Sequence, residues 1–105
     1  MHGYVYLIYD ENNDVYKIGV TRSKNSKRLK QLQTGNSTKL NVLHLHETKY
    51  PFRLETMLHS YYINHRINGE WYKIDDVEDY KKRCIDFDKS IDLLKENPFF
   101  KKNLK

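Results

Sequence analysis

Apolar and polar residues alternate through "GYVYLIYDENNDVYKIGVT", residues 3–21, in two runs separated by an acidic, asparagine-rich segment. A period of two predicts strands over residues 3–9 and 15–21, joined through Asp10 to Asp14 as a hairpin. Asn12-Asn13 suits the positive φ that a tight turn demands. Asn25 or Ser26 is placed to cap a short helix, "KRLKQLQT", that Gly35 ends. "LNVLHLHE", residues 40–47, alternates again and predicts a third strand. Pro51 suits the first turn of a helix running to about Arg66, which "NGE" breaks, and "EWYKI" predicts a short fourth extended piece. Asp75 or Asp76 caps a last helix to about Glu96, with Val77, Tyr80, Cys84, Phe87, Ile91 and Leu94 at helical spacing. The order is ββαβα, then a short strand and a helix, which predicts an α+β domain with an antiparallel sheet.

Composition narrows the picture. A chain of 105 residues has room for one core, and no repeat or low-complexity linker divides it. Nine tyrosines and one tryptophan mean that aromatic rings supply much of the burial. The longest apolar runs fall far short of a membrane span, and no signal-peptide pattern opens the chain. Cys84 is the sole cysteine, which excludes an internal disulfide and a cysteine-based zinc site. These features predict an intracellular protein, in cytoplasm or nucleus, without a membrane partner. The net charge of +5 favours an anionic partner.

The hairpin carries the first candidate chemistry. Val5, Leu7 and Tyr9 share a face with Tyr16, Ile18 and Val20, the better core face. Tyr4, Tyr6 and Ile8 share the other with Lys17, Gly19 and Thr21. A turn centred on Asn12-Asn13 sets Tyr6 opposite Gly19 and Ile8 opposite Lys17, so Lys17 is a diagonal neighbour of Tyr6. Gly19 leaves room for the ring or lets a ligand approach. An ammonium beside a phenol on a polar face favours the phenolate. The plain alternative is that these tyrosines only pack.

"YVY" at Tyr4 to Tyr6, "YKIG" at Tyr16 to Gly19, "KRLKQLQTGN", "RLETMLH" and "NGEWY" occur in an order that resembles GIY-YIG nuclease domains, over about residues 3–74. The closest likeness is to the branch in phages and large DNA viruses. The resemblance implies a three-stranded antiparallel sheet flanked by helices, hydrolysing DNA phosphodiesters with one divalent ion, Mg2+ or in its place Mn2+. It divides the chain into a nuclease-like part, residues 1–75, and a helix with a basic tail, residues 76–105, packed on the same domain. By position it makes Tyr6 the first-motif tyrosine, Arg28 the helix arginine and Glu55 the metal ligand. The second-motif tyrosine falls on Lys17, which takes that role, while Tyr16 lies one residue early and faces the other way. A histidine common one turn after the arginine is replaced by Leu32.

These roles fit phosphodiester hydrolysis, which needs an activated water, stabilisation of developing charge and help for the leaving oxygen. Arg28 has the geometry to hold a phosphate bidentately and Glu55 offers a hard oxygen to Mg2+. His59 lies one turn after Glu55 and either contacts a ligand or orients the carboxylate. Glu70 either supports the site or pairs with Arg66, and Trp71 reads as core. Lys24, Lys27, Arg28, Lys30 and the tail "PFFKKNLK" are candidates to follow phosphates. His44 and His46 share a sheet face but have no clustered third ligand. Three function classes result: a metal-dependent DNA endonuclease, first; a catalytically inactive nucleic-acid-binding module on the same fold; and a protein-interaction domain. Cutting both strands would take two visits or a homodimer.

Overall fold

The computed structural model describes residues 2–25, 27–34 and 40–101, without the side chains of Arg28, residues 32–34, Phe100 and Lys101. The hairpin forms as its alternation dictates: β1 is Gly3–Asp10 and β2 is Val15–Thr21. They pair antiparallel with Tyr6 opposite Gly19 and Ile8 opposite Lys17. The turn is built by Asp10, whose buried carboxylate accepts from the backbone N–H groups of Asn12 (3.0 Å) and Asn13 (3.2 Å) and from the Asn13 amide (2.8 Å). The positive φ, 54°, falls on Asp14 rather than on either asparagine. The carboxylate at Asp10 has already satisfied the asparagine N–H groups, so the left-handed residue comes at the end of the loop.

Helix α1 is Lys27–Thr34 and β3 is Leu40–Thr48, which pairs with the outer side of β1. The Ser26 cap and the Gly35 stop lie outside the described residues. The β1–β3 register shifts between Leu7 and Ile8, so Leu7 faces His44 while Ile8 faces Val42. That irregularity leaves Leu43 exposed and puts His44 and His46 on the Val5–Leu7 face.

Helix α2 is Pro51–Tyr61, shorter than the pattern predicted. The chain leaves it at Tyr62, makes one 3-10 turn over Ile63–His65, and enters a second hairpin, β4 (Arg66–Asn68) and β5 (Trp71–Tyr72). Gly69, at φ 50°, makes its turn possible. β5 pairs with β2, so the sheet has five strands in the order β3-β1-β2-β5-β4 rather than three. Helix α3, Val77–Leu94, is capped by the Asp76 carboxylate accepting from Asp79 N–H at 3.0 Å.

The helices cover both sheet faces. Leu54 and Leu58 of α2 and Tyr80, Cys84 and Ile91 of α3 pack on Val5, Leu7, Ile18 and Tyr72. Leu94, at the helix end, is exposed. On the other face Leu29 of α1 packs with Tyr6, Ile8 and Leu40, joined by Val42, Leu45 and Trp71. The face expected to be polar is therefore a second core, with Tyr6 completely buried in it. Trp71 belongs to that core, as its sequence context suggested. Among the described residues, no helix is long and apolar enough to cross a membrane.

Candidate metal and nucleic-acid site

β5 pairs only with Tyr16 and Lys17 of β2, which leaves the edge from Gly19 to Thr21 outside that pairing. Three of the predicted residues gather beside this edge. Glu55 and His59 come from α2 and Glu70 from the β4–β5 turn. Each offers a ligand atom, and these atoms lie within 4.8 Å of one another. Among the described residues this is the one such group of three histidine, cysteine or acidic side chains. Two carboxylates are hard oxygen donors of the kind Mg2+ and Mn2+ take, so the donor set fits the implied ion.

A cleft of about 410 Å³ opens beside the cluster, lined by Val20, Thr21, Arg22, Phe52, Glu55 and Glu70. A second opening shares Glu55 and is lined also by His59, Arg66 and Tyr72. Glu55 thus shares one opening with Arg22 and the other with Arg66, and both arginines are exposed. Arg22 and Tyr72 were not singled out from the sequence, and Arg66 was named only as a partner for Glu70. Ending α2 near Arg66 hid β4, and without β4 and the pairing of β5 with β2 nothing placed Arg66 or Tyr72 beside Glu55. Pairing β5 with Tyr16 would have revealed Tyr72, which must then face α2 by alternation.

Hydrogen bonds fix His59 at both nitrogens. Its Nε2 lies 3.1 Å from the Ile18 carbonyl, and its Nδ1 lies 2.6 Å from the Tyr72 hydroxyl. The Glu55 carboxylate is 3.9 Å from Nε2. Burial raises the Tyr72 phenol above its ordinary value; Arg66 opposes this, and Glu70 and Glu55 add to it.

The remaining predicted residues divide. Lys17 points its ammonium at Glu70 (3.4 Å), 5.6 Å over the Trp71 ring, so Glu70 pairs with Lys17 and not with Arg66. The charge expected to bias Tyr6 is engaged by that carboxylate. Tyr6 lies with its hydroxyl end against Gly19: a Cβ there would meet Cζ and Oη at 2.3 Å. The room left by Gly19 is filled by this ring. Tyr16 faces the opposite core, its ring tilted against Tyr9 at 4.8 Å between centroids, and burial raises its phenol. Tyr4 is half-buried opposite Thr21. Lys24, Lys27 and Lys30 are exposed around the start of α1, while the side chains of Arg28 and Leu32 and the end of the basic tail lie outside what the structure describes.

His44 and His46 sit elsewhere, under α3. His46 Nε2 is 2.6 Å from the Asp88 carboxylate, and His44 packs edge-on to Tyr80 at 5.9 Å. Residues 3–88 match the family model of the T5orf172 domain, a span that takes in the first two-thirds of α3 as well as every residue of the cluster. Comparison with curated proteins and with solved structures gives no significant match.

Proposed function

The chain belongs to the T5orf172 domain family, and on that premise we propose that it is a divalent-metal-dependent endonuclease of GIY-YIG type acting on DNA phosphodiesters. The observation that carries this reading is the meeting of Glu55, His59 and Glu70, whose ligand atoms lie within 4.8 Å of one another, with Glu55 lining two openings that each hold an exposed arginine. Glu55 and Glu70 would hold Mg2+ or Mn2+, which supplies Lewis acidity at a phosphate. Arg22 and Arg66 bind the flanking phosphates, each able to grip two oxygens at once. Lys17 offsets the charge of Glu70, so that two carboxylates are tolerated close together. Tyr6, completely buried with its hydroxyl end against Gly19, is assigned to support the strand edge beside the site rather than to act as a free phenolate. Arg28 keeps the phosphate-binding role its motif implies, and Lys24, Lys27 and Lys30 extend the basic path along α1.

The experiment is nicking of supercoiled plasmid with Mg2+, Mn2+ or chelator, using wild type and Glu55→Gln. We expect cleavage by wild type with either ion and at least a hundredfold loss in Glu55→Gln, with DNA binding retained. Equal metal-dependent cleavage by Glu55→Gln would refute the assignment. One observation favours the second reading, a nucleic-acid-binding module without turnover: Tyr6 is completely buried and Lys17 is committed to Glu70. Salt-dependent DNA binding with no cleavage under any ion would select it.

A further inference from the structure

We propose that Tyr72 is a positioning residue that determines which cation the site accepts, by holding His59 out of the coordination sphere. The inference rests on the Glu55–Glu70 cation site proposed above. The Ile18 carbonyl can only accept a hydrogen bond. His59 Nε2, 3.1 Å away, must therefore carry a proton. In neutral imidazole the remaining lone pair is on Nδ1, and the Tyr72 hydroxyl lies 2.6 Å from it, placed to donate. Both nitrogens are then occupied, one by its own proton and one by the phenol's. A metal-bound nitrogen needs a lone pair directed at the ion. Proximity alone makes His59 a ligand candidate, since it lies with Glu55 and Glu70 inside 4.8 Å. The hydrogen bonds overrule that proximity.

The chemical consequence is selectivity. With His59 excluded, the protein donors are carboxylate oxygens, which suit Mg2+ and Mn2+, whereas an added imidazole would favour Zn2+. Tyr72 is well placed to keep this arrangement. It is buried, paired to Tyr16 across β2 and β5, and its ring meets the His59 ring edge-on at 5.2 Å. The phenol and the imidazole thus fix one another at the junction of α2 and the second hairpin.

The test uses the full chain labelled with 15N-histidine and titrated without DNA, first with Mn2+ or Mg2+ and then with Zn2+. In the wild type, His59 should show a protonated Nε2 and a hydrogen-bonded Nδ1, and no cation should produce a coordination shift at either nitrogen. Tyr72→Phe keeps the ring and deletes the donor. With Nδ1 no longer held, the His59 ring can turn that lone pair toward the carboxylates and take Zn2+, raising the ratio of Zn2+ to Mn2+ affinity by about tenfold, the lower end of what outer-layer partners of metal sites contribute. His59→Gln, which removes the imidazole altogether, should keep the wild-type ion preference and guards against a Tyr72→Phe that is poorly folded. A coordination shift at His59 in the wild type, or an unchanged ratio in folded Tyr72→Phe, overturns the inference alone. Wild type that binds Mn2+ no better than Glu55→Gln overturns the cation site and the inference with it.

Discussion

Gly19→Ala tests the relation between the hairpin register and the placement of Tyr6. A Cβ at residue 19 would stand 2.3 Å from Tyr6 Cζ and Oη and 2.9 Å from Cε1. Ordinary carbon contacts are about 3.5–4.0 Å, so the ring must retreat by about 1 Å or more. It has nowhere to go, because Tyr6 is completely buried among Ile8, Leu29, Leu40 and Trp71. Overpacking of this kind costs about 1–3 kcal/mol. Alanine also narrows the unfolded ensemble, which returns about 0.4–1 kcal/mol at a residue whose φ it tolerates. The steric term wins, leaving a net loss of about 1–2 kcal/mol and a Tm lower by roughly 5–15 °C. Urea unfolding followed by circular dichroism measures it. Tyr6→Phe should not relieve the loss, since Cζ remains at 2.3 Å, whereas Tyr6→Leu should, giving a coupling of about 1 kcal/mol in a double-mutant cycle. A Gly19→Ala protein within about 0.5 kcal/mol of the wild type would refute the packing argument.

Arg22→Ala should weaken DNA binding and reduce the salt slope by about one, read from fluorescence anisotropy at several salt concentrations; an unchanged slope would remove Arg22 from the phosphate path. Burial pushes the Cys84 thiol up to about 12, so Ellman's reagent at neutral pH should label it only as fast as the domain opens, and prompt labelling of the native protein would contradict its place in the core. Burial, with His46 and Lys81 adding to it, lowers the His44 imidazole below its ordinary value. Its stabilising contribution is present above about 6.5, the unfolded value, and is lost as pH falls toward the folded one. His44→Leu should therefore gain stability relative to wild type on acidification, and a difference independent of pH in paired urea titrations would refute this.

The hairpin register was legible because two faces and one turn length leave few alternatives: Tyr6 opposite Gly19 follows from counting. The last helix was legible for a similar reason, with Asp76 at its start and Tyr80, Cys84 and Ile91 buried at helical spacing. Burial of the Tyr6 face was not, because it depends on Leu29 and Leu40, which reach it from α1 and β3. β4 was hidden for a different reason. Its three exposed residues carry no alternation, and it exists because β5 offers an edge to pair with. Glu55 was found through its motif. His59 followed from helical spacing and Glu70 and Lys17 from their motifs, but the pairing of Lys17 with Glu70 and the place of Tyr72 were not legible, since they depend on strands and a turn that sequence distance keeps apart.

β5 is joined to β2 through two residue pairs, Tyr16 with Tyr72 and Lys17 with Trp71, and β4 beyond it is exposed throughout. Such a flap opens at lower free energy than the sheet it borders. Glu70 and Tyr72 ride on it, whereas Glu55 and His59 stay on α2. Detaching the flap would dismantle the site while β1, β2, β3 and the long helices remain folded, so competence has an equilibrium of its own, distinct from that of the domain. A cation gripping Glu55 and Glu70 binds only the closed form and staples it shut, by an amount that grows with the logarithm of its concentration. Amide exchange in residues 66–72 should slow as Mn2+ is added, while exchange along β1 stays at its global limit.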